Sequence, residues 1–416
     1  MDETLRLRGI DGIGGSASTS AMLVTLVSVL LFLLLNPFLA LFLLALLALF
    51  QRVPPWAFII PACIAFALFF NSREFGVEWY AGLADDDVPT YVILYNSDYG
   101  VSFTELIQRF FETPNGNEPL WHLPWWALMN GLEASDSTFI FLHYTLNFLA
   151  LFLAVYTLSS RFLVPLVLVY FFLIPISIDG LAYVWRQELA CFVFLIGAGL
   201  DVVRHKKIGK WIVYITPLFH LSCLFFVATF VVFQILRKRR AFDNHGKVIF
   251  YLILILLTVP ALSSVAVVFL DSIGLSRIMG YFEGRGTDWT RVILLLGVYA
   301  LPQLLTFLTL RTDDLNRLFL VICFAVFSIV LALPAANGIY DRLLMFTLPL
   351  LSLYLFRCLV ANFAAVWRIP AIMLVFGVGA MRLQGLSATG YGAGSYLAFG
   401  HAFDPTMGVI KLLVSF

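Results

Sequence analysis

The sequence predicts an all-α, polytopic membrane protein with about 11–13 transmembrane helices, some paired as short re-entrant hairpins. Three observations predict it. Hydrophobic residues make up 61% of the 416-residue chain and charged residues 12%, with mean hydropathy +0.95; soluble domains carry about 25% charged residues. Apolar runs of bilayer-crossing length, about 17–25 residues, recur along the chain. Lys and Arg collect in alternate loops, as the positive-inside rule requires. No internal repeat or linker marks a second domain, so 1–416 reads as one polytopic domain containing a large loop, 72–137. A net charge of +1 with no basic tail leaves no electrostatic footprint for nucleic acid.

Residues 1–20 form a polar lead with Arg6 and Arg8. The apolar run 21–50 after it is too long for the core of a cleavable signal peptide, so the N-terminus is expected to be retained, on the cytoplasmic side. Asn36-Pro37 interrupts that run, and proline disrupts a helix interior, which predicts two short spans, 21–35 and 38–51. Span 56–71 then leads into the loop 72–137. This loop is rich in Asp and Glu and carries Arg73 and Arg109 as its two bases, which places it outside. Within it, "SFTELIQRFFE" (102–112) has amphipathic helical spacing. The Trp-rich "EPLWHLPWWALMNGL" (118–132) suits a membrane interface. Both are expected to lie on the outer surface as short helices. Further spans are predicted over 138–158, 162–176, 187–203, 248–270, 292–310, 318–333, 343–360 and 367–381.

Residues 211–236, with "ITPLFHLS" at their centre, are ambiguous by length alone. Charge decides. Arg204, Lys206, Lys207 and Lys210 precede the stretch, and Arg237, Lys238, Arg239 and Arg240 follow it. A hairpin keeps both basic flanks inside and gives a clear inside excess of Lys and Arg. A single crossing flips everything downstream and brings the two sides near parity. The hairpin is therefore expected, with His220 at its outer tip.

The cysteines, Cys63, Cys191, Cys223, Cys323 and Cys358, all fall in apolar runs without metal spacing, so no disulfide framework is expected. The consecutive acids Asp85, Asp86 and Asp87 point in different directions along the chain and have no partner cluster; neither a metal nor a cofactor is expected. "RKRR" (237–240) is a topological signal or touches anionic headgroups. The Gly-rich "GYGAGSYLAFGHAF" (390–403) follows no strand, so it is not read as a nucleotide loop.

A cation in a membrane span costs roughly 2.5–3.5 kcal/mol on insertion scales. Arg186, Arg291 and Arg342 each precede an inward-running helix on the outer face, and His220 sits at the turn before another. Helix N-termini and guanidinium groups favour the same ligand, an anion such as a lipid phosphate or diphosphate. Taken singly, each Arg could be a snorkelling anchor and Glu118 a solvated loop acid; it is the set that points to a site.

The residues also come in a familiar order: "DVPTYVILY" (87–95), "NEPLW" (117–121), "WRQELA" (185–190), "PLFHLS" (217–222) and "YDR" (340–342). From about residue 85 to 345 the chain resembles the EpsG family of exopolysaccharide polymerases, related to the Wzy-type O-antigen polymerases. The resemblance implies a helical, GT-C-like fold in the bacterial inner membrane. It also implies a metal-independent glycosyltransferase joining undecaprenyl-diphosphate-linked oligosaccharides on the periplasmic side, with the bilayer and a chain-length-regulating co-polymerase as partners. Arg186, Gln187, His220, Arg342 and Glu118 match its motif positions. Asp87, Tyr91 and Trp121, within the matching segments, are sugar-contact candidates, and Arg291 joins the diphosphate set. The double acid after Asp85 and the Trp-rich loop after Glu118 look particular to this chain.

The chemistry then expected is attack by an acceptor hydroxyl on the anomeric carbon of the growing chain, with undecaprenyl diphosphate leaving. Charge building on the diphosphate needs cationic stabilisation, and the hydroxyl needs a base within hydrogen-bond reach. Glu118 and His220 are the two candidate bases, and Glu118 is favoured because its loop can fold over an acceptor. The alternatives are a flippase for the same lipid-linked sugar and an O-antigen ligase. Transporters favour internal repeats and broken midplane helices, whereas here the polar residues gather at one face. No His-His or His-Asp motif supports a membrane acyltransferase.

Overall fold

In the computed structural model, the described residues are 17–50, 55–71, 87–112, 118–159, 164–172, 185–272, 296–309 and 313–332, with isolated residues between and beyond them. Among these the structure is helical and has no strand. The helices are α1 (Ala17–Leu34), α2 (Pro37–Phe50), α3 (Trp56–Asn71), α4 (Asp87–Ser97), α5 (Phe103–Glu112), α6 (Pro119–Leu132), α7 (Asp136–Leu158), α8 (Val164–Phe172), α9 (Trp185–Val202), α10 (Ile208–Ile215), α11 (Cys223–Lys238), α12 (His245–Ser272), α13 (Leu301–Thr309) and α14 (Asp314–Ala332). A π-helical turn, Leu296–Ala300, runs into α13. The spans expected over 343–360 and 367–381 lie outside the described residues. Among the described residues two helices, α7 and α14, are long and apolar enough to cross a membrane; the apolar stretches of α1, α2, α3 and α12 are shorter.

The break expected at Asn36-Pro37 separates α1 from α2. Asn36 is the reason for the restart: its Oδ1 accepts the Phe38 N–H at 3.0 Å and its carbonyl accepts the Ala40 N–H at 2.9 Å. Pro37 takes the first helical position, where its missing N–H costs nothing. Phenylalanines seal α1, α2, α3, α7 and α8 together. Phe66 stacks on Phe172 at 4.9 Å and meets Phe38 edge-on at 5.1 Å, geometries that the ring quadrupole favours.

Helix α9 lies between α7 and α10. Two glycines set its distance from α10. A Cβ on Gly197 would stand 2.8 Å from the Gly209 carbonyl oxygen, and a Cβ on Gly209 would collide with backbone atoms of Gly197 and Asp201. Gly209→Ala is therefore expected to destabilise the protein by at least the roughly 1–3 kcal/mol typical of overpacking. Gly131→Ala, whose Cβ would meet nothing within 4 Å, serves as the neutral control. Thermal unfolding in detergent checks both; a Gly209→Ala melt equal to wild type would contradict the close approach.

The structure folds 211–236 as the hairpin that charge required. Lys210 on α10 and both Gln234 and Arg237 on α11 converge on one carboxylate, Asp201, at 3.8, 2.7 and 3.6 Å. The start of one arm and the end of the other therefore meet at the last turn of α9. A 3-10 turn, Thr216–Leu218, and the turn through His220 join the arms. Arg237 also pairs with Asp314 of α14 at 2.7 Å, so one buried acid and its basic partners tie α9, α10, α11 and α14 at this end.

The loop between α3 and α7 is folded where it is described. α5 carries the amphipathic segment and α6 the Trp-rich one. Trp121, Trp125 and Met129, four residues apart, form the buried face of α6. Three hydrogen bonds join the α4–α5 turn to α6: the Trp126 indole donates to the Val101 carbonyl at 2.8 Å, the Asn130 amide donates to the Asp98 carbonyl at 2.8 Å, and the Gly100 N–H donates to Asn130 Oδ1 at 2.8 Å. Gly100 has φ +72°, which glycine adopts without steric cost. Tyr95 stacks on Phe139 at 4.2 Å and donates to the Ala134 carbonyl at 2.8 Å. Burial, with the Asp136 charge, pushes the Tyr95 phenol up to about 12, so it keeps its donor proton at neutral pH.

The sidedness expected from the charge pattern is open to direct measurement. Tyr99 in the α4–α5 turn and Asp243 after the basic run are both exposed. A membrane-impermeant thiol reagent applied to intact spheroplasts is expected to label Tyr99→Cys and spare Asp243→Cys. The native Cys63, Cys191, Cys223 and Cys323 are buried. Labelling at 243 would overturn the assignment of sides.

Candidate active site

Where α6 begins, the chain spends a cap on something else. An N-cap side chain ordinarily accepts a backbone N–H of the first turn, worth about 1 kcal/mol. Ser102 does this for α5 at 3.2 Å and Ser135 for α7 at 3.3 Å. Glu118 occupies the N-cap of α6, with φ −123° and ψ 62°, and makes no side-chain cap bond. Its carboxylate faces the tops of α9 and of the α10–α11 hairpin instead. Oε2 accepts from Arg186 Nη1 at 2.8 Å, and Oε1 lies 3.6 Å from His220 Nε2, an electrostatic contact longer than a hydrogen bond. Glu118 is 8% exposed, so the pair is largely withdrawn from water and screening.

Arg186 stands in the first turn of α9, where the helix dipole opposes a cation. Glu118 and two aromatic rings offset that cost. The guanidinium lies over Tyr91 of α4 and Trp121 of α6, 5.4 Å from each ring centroid, close enough for cation–π attraction to both. Trp185, fully buried, backs the assembly. It stacks on Tyr91 at 5.4 Å and on His143 of α7 at 4.4 Å. Three helices thus hold one guanidinium, α4 and α6 through their rings and α9 through its own backbone, and α7 stands behind them through the His143–Trp185 stack.

His220 reaches Glu118 from the turn after Thr216–Leu218. Its Nδ1 is 2.7 Å from Ser222 Oγ and also accepts the Ser222 backbone N–H at 3.3 Å. The hairpin fixes how far this turn rises. Its ends are pinned at Asp201 in the last turn of α9, and α9, with 18 residues, is about 27 Å long at 1.5 Å per residue.

The structure thus brings together Glu118, Arg186, His220, Tyr91 and Trp121. Gln187 is buried at the next position of α9. Asp87 is the first residue of α4, one turn before Tyr91. Arg291 and Arg342 lie outside the described residues, as do Asp85 and Asp86. Among the described residues no group of three or more His, Cys, Asp or Glu could hold a metal ion. Sequence reasoning missed Trp185, His143 and Ser222. Trp185 and Ser222 sit inside the quoted segments, adjacent to Arg186 and two residues after His220, but nothing in their spacing assigns them a partner. His143 is a lone histidine in an apolar run.

The site joins one carboxylate, one guanidinium and one imidazole at helix ends, under a tryptophan-lined helix. Arg186 can bind an anionic ligand through the same Nη–H that holds Glu118, and Glu118 can accept a proton once that bond is exchanged. Against known proteins, the family model described as the EpsG family matches residues 75–391. No curated protein and no solved structure matches the chain.

Proposed function

The chain belongs to the EpsG family, and from that premise we propose that it polymerises polysaccharide by joining undecaprenyl-diphosphate-linked oligosaccharide repeat units on the periplasmic face of the bacterial inner membrane. The observation that carries the reading is the meeting of Glu118, Arg186 and His220. They come from three separate stretches of sequence, each within a segment that carries the resemblance noted in the sequence.

The acceptor hydroxyl oxygen forms a bond to the anomeric carbon of the growing chain's first sugar. The bond from that carbon to the diphosphate oxygen breaks, and undecaprenyl diphosphate leaves with the bonding pair. The hydroxyl proton passes to Glu118. A single displacement inverts the anomeric centre, and a diphosphate leaving group needs no general acid. Arg186 stabilises the charge that builds on the leaving oxygen, with Arg291 and Arg342 as further diphosphate ligands. Asp87, Tyr91 and Trp121 border the sugar, Trp121 and Tyr91 while also clasping Arg186. Gln187 completes the polar end of α9.

The Glu118–Arg186 pair gives this scheme an order. A diphosphate offers the guanidinium more charge and a bidentate match, so donor binding draws Arg186 from Glu118 and frees the carboxylate to take a proton. The base is then exposed when there is something to attack.

The test is purified protein in liposomes containing a polyprenyl-diphosphate-linked repeat unit. Free polyprenyl diphosphate is expected, one per new linkage, with the new linkage inverted relative to the donor. Movement of intact lipid-linked sugar across the bilayer without diphosphate release would replace the polymerase reading with a transporter.

A further inference from the structure

Ser222 breaks the same capping rule as Glu118. It occupies the N-cap of α11 and makes no side-chain cap bond, whereas Ser102 and Ser135 cap their helices. Its hydroxyl is spent on His220 Nδ1 at 2.7 Å, and its backbone N–H points at the same nitrogen at 3.3 Å. An N–H can only donate, so Nδ1 must present its lone pair. A proton on Nδ1 would face that N–H head-on. The ring proton of neutral His220 therefore belongs on Nε2, the nitrogen 3.6 Å from Glu118 Oε1. Among the described residues, the charged and titratable groups beside it include Glu118 from the start of α6, Arg186 of α9, which shares that carboxylate, and the Cys223 thiol at the start of α11, which lies within electrostatic reach of Glu118.

We propose that Ser222 is a positioning residue that locks His220 in the Nε2–H tautomer, so that His220 serves as a hydrogen-bond donor to Glu118. The inference rests on the reading of Glu118 as the base. It also separates the two base candidates, because a ring already protonated at Nε2 has no lone pair there to accept the acceptor's proton. When the diphosphate takes Arg186, the Nε2–H is the donor that stays with the carboxylate and keeps it aimed at the acceptor. Catalytic hydrogen bonds that are long in an empty site commonly tighten when substrate binds.

The experiment is solid-state 15N spectroscopy of the full chain in bilayers, labelled at histidine. It is run at mildly alkaline pH, where an ordinary imidazole is neutral, with His220→Gln identifying the signals. Wild type is expected to show an unprotonated Nδ1 and a protonated Nε2. Ser222→Ala keeps the backbone N–H, so the proton is expected to stay on Nε2 while the Nδ1 signal shifts with loss of the hydroxyl bond, and kcat is expected to fall about 3–10-fold, the worth of one hydrogen bond, at unchanged donor KM. Ser222→Thr, which keeps the hydroxyl, is expected to restore both. A wild-type proton on Nδ1, or a Ser222→Ala Nδ1 signal identical to wild type, would overturn the proposal. The wild-type spectrum decides even if Ser222→Ala fails to fold. The spectrum reads the tautomer without turnover, so a chain that showed this pattern and made no polymer would sink the polymerase reading while leaving the role of Ser222 in place.

Discussion

Glu118→Gln is expected to lower kcat about 10²–10⁴-fold, the usual worth of a general base, or about 2.7–5.5 kcal/mol of transition-state free energy. Gln keeps the shape and can still accept from Arg186 Nη1, so the constellation survives; what it loses is the capacity to hold the acceptor's proton. Donor affinity is expected to rise rather than fall, because the neutral amide competes less strongly than the carboxylate for Arg186, its partner at 2.8 Å. His220→Gln gives the contrasting pattern. It keeps an N–H donor near Glu118 and is expected to cost less in kcat than Glu118→Gln. Intact turnover in Glu118→Gln beside abolished turnover in His220→Gln would make His220 the base. Kinetics with donor affinity measured alongside separate these outcomes.

Arg186→Lys is expected to lower turnover about 10²-fold or more, comparable to removing one donor from a transition-state anion site, while the protein still inserts and folds. Lys conserves the charge but not the plane. The guanidinium is held 5.4 Å from the ring centroids of both Tyr91 and Trp121, and an ammonium on a flexible stem has neither the flat face nor the paired N–H groups to use that slot. An interfacial anchor would tolerate the change, since both side chains snorkel. Near-normal polymer from Arg186→Lys would return Arg186 to that anchoring role. Trp121→Ala and Tyr91→Ala, which strip one face each, are expected to fall between wild type and Arg186→Lys.

Much of the fold was legible because the bilayer imposes simple rules. The starts of α3 and α7 fell within two residues of the apolar runs that predicted them. Asn36-Pro37 marked the break between α1 and α2. The hairpin was legible from its basic flanks alone, although neither arm is long enough by the usual measure. What made it stable was not legible: Asp201 gathering Lys210, Gln234 and Arg237, and the Gly197–Gly209 approach. These depend on which helix lies beside which, and a single sequence records periodicity without naming neighbours.

The same holds within the site. Arg186 was conspicuous because a cation at the start of an apolar helix needs a reason. His220 came from the charge pattern that set the hairpin, Glu118 from the resemblance, and their junction with Arg186 is a fact of tertiary packing. Ser222 was invisible, because a serine before a helix reads as an ordinary cap, and only the structure shows the cap bond missing. Tyr91 and Trp121 were expected as sugar contacts. Both are buried and lie against Arg186, a placement their positions in the 72–137 stretch did not disclose.

On the proposed reading, Glu118, Arg186 and His220 form the centre that lengthens a lipid-linked glycan. Electrophoresis of the products made by the reconstituted protein from a lipid-linked repeat unit tests it most directly, with wild type and Glu118→Gln run side by side. Wild type is expected to give a ladder spaced by one repeat unit, and Glu118→Gln almost none at equal donor occupancy. A ladder of equal length and rate from both would contradict it.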